Sequence, residues 1–330
     1  MNSSRPIPLS LTLLVAFATS ALVQGADFTL EKNDKGIKVN IDGKLFTEYV
    51  ILSGNKPVLW PIIGPTGVEM TRAYPILQDV EGDRKDHPHH RSLWFSHMEV
   101  NDVNFWAEAA SFSSAKSAEA RAKLGLTKHR EFKKAEADSQ GATIVTVNDW
   151  VDANGKKVLE DERRIAFKAD KDTRTIDFDI DLKATEGDVK WGDNKDGVFG
   201  VRVPTSMDVD SKMGGEIVNS NGLKDKEAWG KTASWVDYHG PVKGEQLGLA
   251  ILNHPSSFRY PTPWHVRTYG LFAANAFGLH DFDPASGADG TYEQKKGETM
   301  KFRYRVILHK GDEKAGKIAQ AFEGYEKEKK

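Results

Sequence analysis

Hydrophobic and polar positions alternate with a period of two over much of the chain, which is typical of half-buried strands. The clearest case runs from Ile176 to Leu182, where apolar residues alternate with aspartate. Successive side chains of a strand point to opposite faces, so this run predicts one buried and one polar face. We expect the same arrangement wherever such alternation recurs.

Further strands are predicted where short apolar, β-branched or aromatic runs end at glycine, proline, asparagine or aspartate. These runs lie at residues 28–30, 37–41, 45–50, 92–99, 143–151, 157–168, 174–184, 197–203, 216–218, 234–238, 248–252, 271–274 and 300–308. Helical spacing is clear at 312–330, where Asp312 is near the predicted N-cap and Ile318, Phe322 and Tyr325 form an apolar stripe. Many short strands without interleaved helices predict an all-β fold, a large antiparallel β-sandwich with a short C-terminal helix.

The segment at 107–124 is ambiguous, because it is rich in alanine, serine and lysine but has few apolar positions. Its propensity permits a helix, and a mobile lid or loop is the alternative. No repeat and no linker rich in proline or serine divides the chain. We therefore expect residues 26–330 to form a single domain.

The N-terminus has the pattern of a secretory signal peptide. Arg5 supplies a short basic region, residues 11–23 are mostly apolar, and the small residues Gly25 and Ala26 follow. This pattern predicts a cleaved signal at 1–25, with an uncleaved anchor as the alternative. We expect an exported protein, periplasmic or extracellular, without a membrane span in its mature part, because no later segment approaches the length required.

Composition excludes several classes of function. The chain of 330 residues has no cysteine, which excludes disulfides, thiolate metal sites and cysteine nucleophiles. Its formal net charge of −2 gives no electrostatic basis for binding nucleic acid or an anionic membrane. An exported protein without disulfides must be held by its core, which a chain of this length can supply.

The highest density of titratable side chains lies in residues 86–99. Its histidines are His87, His89, His90 and His97. Pro88 disfavours helix for the residue before it, which predicts a stiff loop that displays the first of these histidines. In the strand predicted next, alternation places Arg91, Leu93, Phe95, His97 and Glu99 on one face, and Ser92, Trp94, Ser96 and Met98 on the other.

Three further segments combine glycine, proline and aromatic residues with polar side chains. They are residues 190–202, 229–240 and 253–270. Glycines in the first segment suit turns or close backbone approach beside Asp196 and Arg202. Closely spaced prolines stiffen the third, so Trp264, His265 and Arg267 would be presented with little entropy to lose. A rigid strand connection with surface histidine and arginine is the alternative.

Together these motifs resemble the bacterial family often labelled methane oxygenase PmoA, or PmoA-like. The matching motifs include His-Pro-His-His-Arg-Ser-Leu-Trp-Phe at 87–95, Asn-Asp-Trp-Val at 148–151, Trp-Val-Asp-Tyr at 235–238, Asn-His-Pro at 253–255 and Trp-His-Val-Arg at 264–267. Members are exported proteins associated with polysaccharide breakdown, and no catalytic residues are established that could be carried over. A methane oxygenase subunit consists of apolar membrane helices, whereas this chain has a mean hydropathy of −0.53, so the label does not describe its activity.

The resemblance and the histidine-rich loops together indicate a carbohydrate-active enzyme, on a sandwich similar to galactose-mutarotase-like folds. Hydrolysis, elimination or epimerisation of a sugar needs a proton donor and a proton acceptor on opposite sides of the reacting atom. Histidine has a near-neutral pKa without much tuning. The candidate acids are His90 and His97, and the candidate bases are Glu99 and Asp196. The candidate substrate-binding residues are Arg91, Trp94, Arg202, His239, Trp264 and Arg267.

Two alternatives stay open at this point. If a divalent metal takes part, the predicted imidazole donors are His87, His89, His254 and His265, although their spacing matches no established metal signature. The rival function is a non-catalytic glycan-binding envelope protein, in which the histidines only donate hydrogen bonds. For either function we expect a glycan or a sugar-derived small molecule as the partner, and no nucleic acid.

Overall fold

Strands are the predominant secondary structure of the fold. The computed structural model describes residue 1 and residues 26–112 and 117–330, so the predicted signal at 1–25 lies outside the described residues except for Met1. The strands in chain order are β1 (Phe28–Asn33), β2 (Gly36–Ile41), β3 (Lys44–Ser53), β4 (Lys56–Ile62), β5 (Leu93–His97), β6 (Leu126–Asp138), β7 (Gly141–Val151), β8 (Lys157–Ala169), β9 (Thr173–Lys183), β10 (Val189–Trp191), β11 (Gly197–Arg202), β12 (Glu216–Asn219), β13 (Trp235–Val242), β14 (Glu245–Asn253), β15 (Trp264–Val266), β16 (Leu271–Ala274), β17 (Tyr292–Gln294) and β18 (Thr299–Lys310). The α-helices are α1 (Ala118–Ala122), α2 (Leu279–Phe282) and α3 (Ile318–Tyr325).

The strands form two eight-stranded antiparallel sheets and one small pair. Sheet 1 has the order β1-β2-β3-β4-β5-β11-β16-β15, sheet 2 the order β12-β13-β14-β18-β9-β8-β7-β6, and β10 pairs with β17. The apolar faces of the two large sheets pack together. The ring centroids of Phe95 (β5) and Phe302 (β18) are 5.6 Å apart, and those of Phe199 (β11) and Phe178 (β9) are 5.1 Å apart. The predicted antiparallel β-sandwich with a short C-terminal helix is confirmed.

The strands with the strongest alternation lie where the sequence predicts them, but one long strand was missed. β9 carries Ile176, Phe178, Ile180 and Leu182 into the main core. The missed strand is β6, at the edge of sheet 2, whose side chains are mostly exposed or half-buried. An edge strand with charged residues on both faces has no apolar alternation to detect.

The helices are short. α3 covers less of the predicted 312–330 segment than expected, because Asp312 accepts a hydrogen bond from the amide of Ala315 (2.8 Å) and caps a separate turn. The predicted stripe of Ile318, Phe322 and Tyr325 is buried against the outer face of sheet 2. Within 107–124, the described part contains α1. Among the described residues, none of the helices combines the length and the apolar character needed to cross a membrane.

The motif at 148–151 serves the core. Asn148 and Trp150 each donate to the carboxylate of Asp161 at 2.7 Å, and Arg163 donates to both oxygens of the same carboxylate at 2.8 and 2.9 Å. Asp161 has no exposed surface and Arg163 is 1% exposed. A buried ion pair is tolerated when further hydrogen bonds satisfy its remaining atoms, as they do here. This motif is therefore structural.

Candidate functional site

The outer face of sheet 1 provides the floor of the candidate site. Trp94 on β5 is in register with Gly200 on β11, Gly200 with Ala273 on β16, and Ala273 with His265 on β15. Residues paired across strands share a face, so these four residues form one row, called the site floor below. A Cβ atom at Gly200 would lie 2.7 Å from the Trp94 ring, so glycine is needed for the ring to cross β11.

The histidine loop, residues 86–91, covers one side of the floor. The amide of His90 donates to the carbonyl of His87 at 3.0 Å and closes a tight turn. His87 has a φ of 43°, a strained conformation for a residue other than glycine, which the surrounding contacts must hold. The ring of His87 stacks with Tyr269 (5.0 Å between centroids) and with His90 (4.8 Å), and His90 stacks with Trp94 (5.5 Å).

Arg72 supports the histidine loop from inside the protein. Its side chain has no exposed surface. Its guanidinium donates at 3.0–3.3 Å to the backbone carbonyls of Tyr74, Arg84, His87 and His90, and also donates to the carboxylate of Asp86. Burial, together with nearby Arg202, lowers the pKa of Arg72 to about 10, so it remains charged at neutral pH. One cation therefore fixes the backbone from residue 74 to residue 90.

Asp86 lies between two buried guanidinium groups. Arg202 donates to it at 2.8 and 3.2 Å, opposite Arg72. Burial alone would raise the pKa of Asp86, but His87, Arg202 and Arg72 outweigh it and hold the pKa well below its usual range. Arg202 also donates to Nδ1 of His90 at 3.0 Å, and because that nitrogen accepts, the neutral ring carries its proton on Nε2.

The inner histidines of the loop are neutral. Burial, reinforced by Lys56 and other nearby cations, lowers the pKa of His89 to about 3. Burial also lowers the pKa of His90 well below its ordinary value. Nδ1 of His89 lies 2.9 Å from Oγ of Ser111, within hydrogen-bond distance. These rings offer hydrogen bonds to a ligand without adding charge.

Trp229, His265 and Asp196 form the opposite side of the site. Trp229 donates from Nε1 to Nδ1 of His265 at 3.1 Å, so the neutral imidazole carries its proton on Nε2. That Nε2 lies 3.8 Å from Oδ1 of Asp196. Burial, with Arg267 and Lys195 nearby, lowers the pKa of His265 to about 3. His265 is therefore a neutral donor that faces Asp196.

Asp196 combines partial exposure with altered acidity. Burial raises its pKa and Asp281 adds to the increase, while Lys195, His87 and Arg267 partly offset it. The side chain of Asp196 is 26% exposed and that of His87 is 40% exposed, so a ligand can reach both. A carboxyl group that keeps its proton to a higher pH than usual, beside an accessible imidazole, suits acid–base chemistry.

A cleft of about 470 Å³ adjoins the site and includes Glu99 in its lining. Met98, which also lines it, packs against the layer that contains Trp94. Asn194, on the same wall, accepts a hydrogen bond from the amide of Asp196 at 2.9 Å. A volume of this size suits a small ligand such as a sugar. Glu99 is thus next to the site but separated from the histidine loop.

His97, a candidate acid, lies on the other side of sheet 1. Alternation along β5 turns it into the main core, as it does Phe95, and it has no exposed surface. Its ring packs against Trp191 and Phe277, and Nε2 donates to the carbonyl of Gly192 at 2.9 Å. Burial lowers the pKa of His97 to about 4. The structure therefore does not bring this residue to the site.

Two candidate binding residues are occupied elsewhere. Arg91 donates to both oxygens of Glu108 at 2.7 and 2.8 Å, which uses the donors expected for a ligand. Trp264 is in the main core and donates to the carbonyl of Ala233, because alternation along β15 turns it away from His265. Trp264 therefore lies on the opposite face of sheet 1 from the site floor.

Two candidate histidines lie on sheet 2. His239 donates from Nδ1 to the buried carboxylate of Asp237 at 2.7 Å. His254 is in contact with the ring of Tyr325, and its Nε2 donates to the carbonyl of Glu328 at 3.0 Å. The contacts of His254 connect the end of β14 to the C-terminal segment, whereas that of His239 stays within β13. Both histidines lie outside the site.

The histidines predicted to bind a metal do not converge. His254 lies at the end of β14 in sheet 2, where its Nε2 donates to the carbonyl of Glu328 at 3.0 Å. Nδ1 of His265 accepts from the indole of Trp229 at 3.1 Å. The protein therefore already uses one nitrogen of each of these two rings. Within the described ranges, the group of metal-ligating side chains whose atoms approach within 4.8 Å of one another consists of Asp237, His239 and Glu313. This group lies at sheet 2, and the predicted set at the site gains no support from the geometry.

The site thus joins most, but not all, of the segments singled out from the sequence. The predicted residues that it brings together are His87, His89, His90, Trp94, Asp196, Arg202, His265 and Arg267. Asp86, Trp229 and Tyr269 were missed, although each belongs to a segment rich in candidates. No sequence pattern indicated the role of Arg72, because this role depends on carbonyl groups that come together only in the folded loop.

Several solved structures are similar to this chain at low identity. A galactose mutarotase related enzyme from Lactobacillus acidophilus is 10% identical, with a TM-score of 0.34 over 86% of this chain and 97% of that chain. The GH36 α-galactosidase AgaB from Geobacillus stearothermophilus is 10% identical, with a TM-score of 0.40 over 86% of this chain and 41% of its own. A polysaccharide lyase is 11% identical, with a TM-score of 0.33 over 88% and 33%.

A search of curated proteins finds no significant match. The model of one protein family matches residues 36–323, which is most of the chain. The protein therefore belongs to the family of unknown function DUF6807.

Proposed function

We propose that this protein is an exported carbohydrate-active enzyme that acts on a sugar or glycan by acid–base chemistry between Asp196 and His87. The observation that carries the proposal is geometric: the partly exposed carboxyl group of Asp196 lies 3.8 Å from the Nε2–H of His265, and burial raises the pKa of this carboxyl group. An ordinary aspartate would have lost its proton well below neutral pH. Burial raises the pKa of Asp196, so this carboxyl group keeps its proton to a higher pH than an exposed aspartate, and we assign it the role of proton donor.

His87 is placed to act as the proton acceptor of the reaction. His87 is the most accessible ring of the histidine loop, and its contact with Tyr269 fixes the ring plane. Hydrolysis, elimination and epimerisation all need one group to take a proton while another delivers one to a departing or ring oxygen. Asp196 would deliver the proton and His87 would accept one. Aromatic faces near the floor would pack against the apolar face of a sugar ring.

A glycan-binding protein without catalysis is the second candidate, and a specific observation favours it. Nε1 of Trp94, Nε1 of Trp106 and Oγ of Ser96 are buried and have no hydrogen-bond partner among the described residues. Buried polar groups are normally satisfied. Sugar hydroxyls could satisfy these groups without any reaction, so binding alone does not establish the enzyme.

Substitution of Asp196 by asparagine separates the two candidates. We expect kcat to fall at least about 100-fold, because asparagine cannot deliver a proton, while the thermal midpoint stays within a few degrees. In the wild type, activity should fall as the pH rises through the pKa of Asp196, and this limb should vanish in the variant. Turnover would be followed as reducing ends or NMR signals over a panel of hexoses, uronic acids, pectin, xylan and alginate.

The matched control is Asp172→Asn, which alters an exposed aspartate paired with Lys310. It should leave both kcat and its pH profile unchanged. Binding of a glycan without turnover of any panel member would support the non-catalytic candidate instead. Equal turnover by wild type and Asp196→Asn would exclude Asp196 as the acid.

A further inference from the structure

Arg267 is presented in a fixed position beside Asp196 and His265. Its backbone amide donates to the carbonyl of Leu271 at 2.7 Å, which holds the loop between β15 and β16. Its guanidinium lies 5.7 Å from the ring centroid of Trp229 and 5.4 Å from that of Tyr269. Cation–π contacts of this kind fix the plane of the group but leave its N–H donors free.

The other arginines of the region have used their donors. Arg72 donates to four carbonyls and to Asp86, Arg202 donates to Asp86 and His90, and Arg91 donates to Glu108. In the part of the chain that the structure describes, the guanidinium of Arg267 donates no hydrogen bond and forms no ion pair. A guanidinium carries five N–H donors and no acceptor, so its free edge suits a ligand that only accepts.

The charges around Arg267 are not balanced by the protein. Asp86 is shared by Arg72 and Arg202, and Lys195 lies 4.0 Å from Asp281. Asp196 is the remaining carboxyl group of the site, and it lies outside ion-pair distance of Arg267. The site therefore has an excess of positive charge on the side where Arg267 is free. A neutral sugar would leave that charge unmatched, whereas an anionic sugar would match it.

We infer that the sugar recognised at this site carries a carboxylate, and that Arg267 binds it. This inference rests on the proposed function for its location and deepens it by naming the substrate class, a uronic acid or a uronate-containing glycan. The planar guanidinium matches a planar carboxylate with two parallel hydrogen bonds. Sulfate and phosphate esters share the negative charge but not the planar shape, so they are the competing ligands to test.

Calorimetric titration of the intact protein tests the inference without any need for turnover. Galacturonate, glucuronate and their trimers would be compared with galactose, glucose and neutral trimers, and with galactose 6-sulfate and inorganic phosphate. We expect at least one uronate to bind at least tenfold more tightly than its neutral counterpart. Arg267→Gln should remove that preference, and Arg267→Lys should restore part of it. Arg130→Gln, which alters an exposed arginine on β6, should change nothing.

Other outcomes overturn the inference. Equal binding of uronates and neutral sugars, no uronate binding up to millimolar concentration, or an uronate preference that survives Arg267→Gln would each do so. If galactose 6-sulfate or phosphate bound more tightly than the uronates, the group recognised by Arg267 would be an anion other than a carboxylate.

The two proposals fail separately. Turnover of a neutral sugar that depends on Asp196, without any preference for uronates, would contradict this inference but support the proposed enzymatic function. Uronate binding that depends on Arg267, without turnover of any sugar, would support the inference but contradict the proposed enzymatic function. Thermal midpoints of both Arg267 variants near that of wild type would show that the affinity changes are not caused by misfolding.

Discussion

Replacing Arg72 with methionine is expected to lower the free energy of unfolding by about 3–5 kcal/mol and to remove ligand binding at the site. Methionine fills much of the same volume but donates nothing. The carbonyls that Arg72 now satisfies would be left without a donor in a buried place, and Asp86 would lose one of its two guanidinium partners. Each such group costs about 1–3 kcal/mol when it stays buried and unpaired.

Urea denaturation followed by tryptophan fluorescence would measure this change. Arg72→Lys should recover only part of the stability, because one ammonium group cannot reach acceptors spread from residue 74 to residue 90. Arg130→Met is the matched control, since Arg130 is 38% exposed and its ion pairs are expected to contribute less than about 1 kcal/mol. A loss below about 1 kcal/mol for Arg72→Met would contradict the assigned role.

Mild acid is expected to destabilise the protein strongly, because several histidines are buried in the neutral form. His90, His97 and His265 are 0–2% exposed. Burial lowers the pKa of His97 to about 4 and that of His265 to about 3, and it lowers the pKa of His90 well below its usual value. An unfolded histidine has a pKa near 6.5. Between pH 6.5 and the lower folded pKa, the unfolded chain binds protons that the folded chain does not.

The sign of the effect follows from this difference in bound protons. The stabilisation is fully present above about pH 6.5 and is lost as the pH falls toward 4. Between about pH 7.5 and pH 5, His97 and His265 each contribute a loss of about 2 kcal/mol, or about 4 kcal/mol together, and His90 changes stability in the same direction. His239 opposes the trend, because its hydrogen bond to Asp237 outweighs burial and raises its pKa. The net loss is still large beside the stability of an ordinary domain.

Denaturation curves at several pH values, each compared with pH 7.5, would check this prediction. In His97→Gln, one of the three protonation differences is absent, so the loss between pH 7.5 and 5 should shrink by about 2 kcal/mol. His280→Gln, at an exposed position, should show the same loss as wild type. A free energy of unfolding that stays constant down to pH 5 would show that these histidines are not buried as neutral groups.

Alternation along the chain predicted more than the strands themselves. In β5 it placed Phe95 and His97 on the face opposite Trp94, and the structure has that arrangement. The same rule separates Trp264 from His265 on β15. The prediction that His97 and Trp94 belong to one site therefore conflicted with the two-residue alternation of β5, which places them on opposite faces. Its residue type suggested a catalytic role for His97, but the face of the strand on which it lies decides whether it is exposed to solvent and which residues it contacts.

The amino-acid sequence by itself determined the fold class, most of the strands, the apolar stripe of α3 and the loops that carry the candidate chemistry, because these depend on patterns within a few neighbouring residues. Only the tertiary structure decided which loops meet. Sheet 1 places β5 beside β11 and β11 beside β16, and this order brings His87, Asp196 and Arg267 together. It also decided which arginines are already paired and which one is free, because the pairing depends on contacts between residues far apart in the chain.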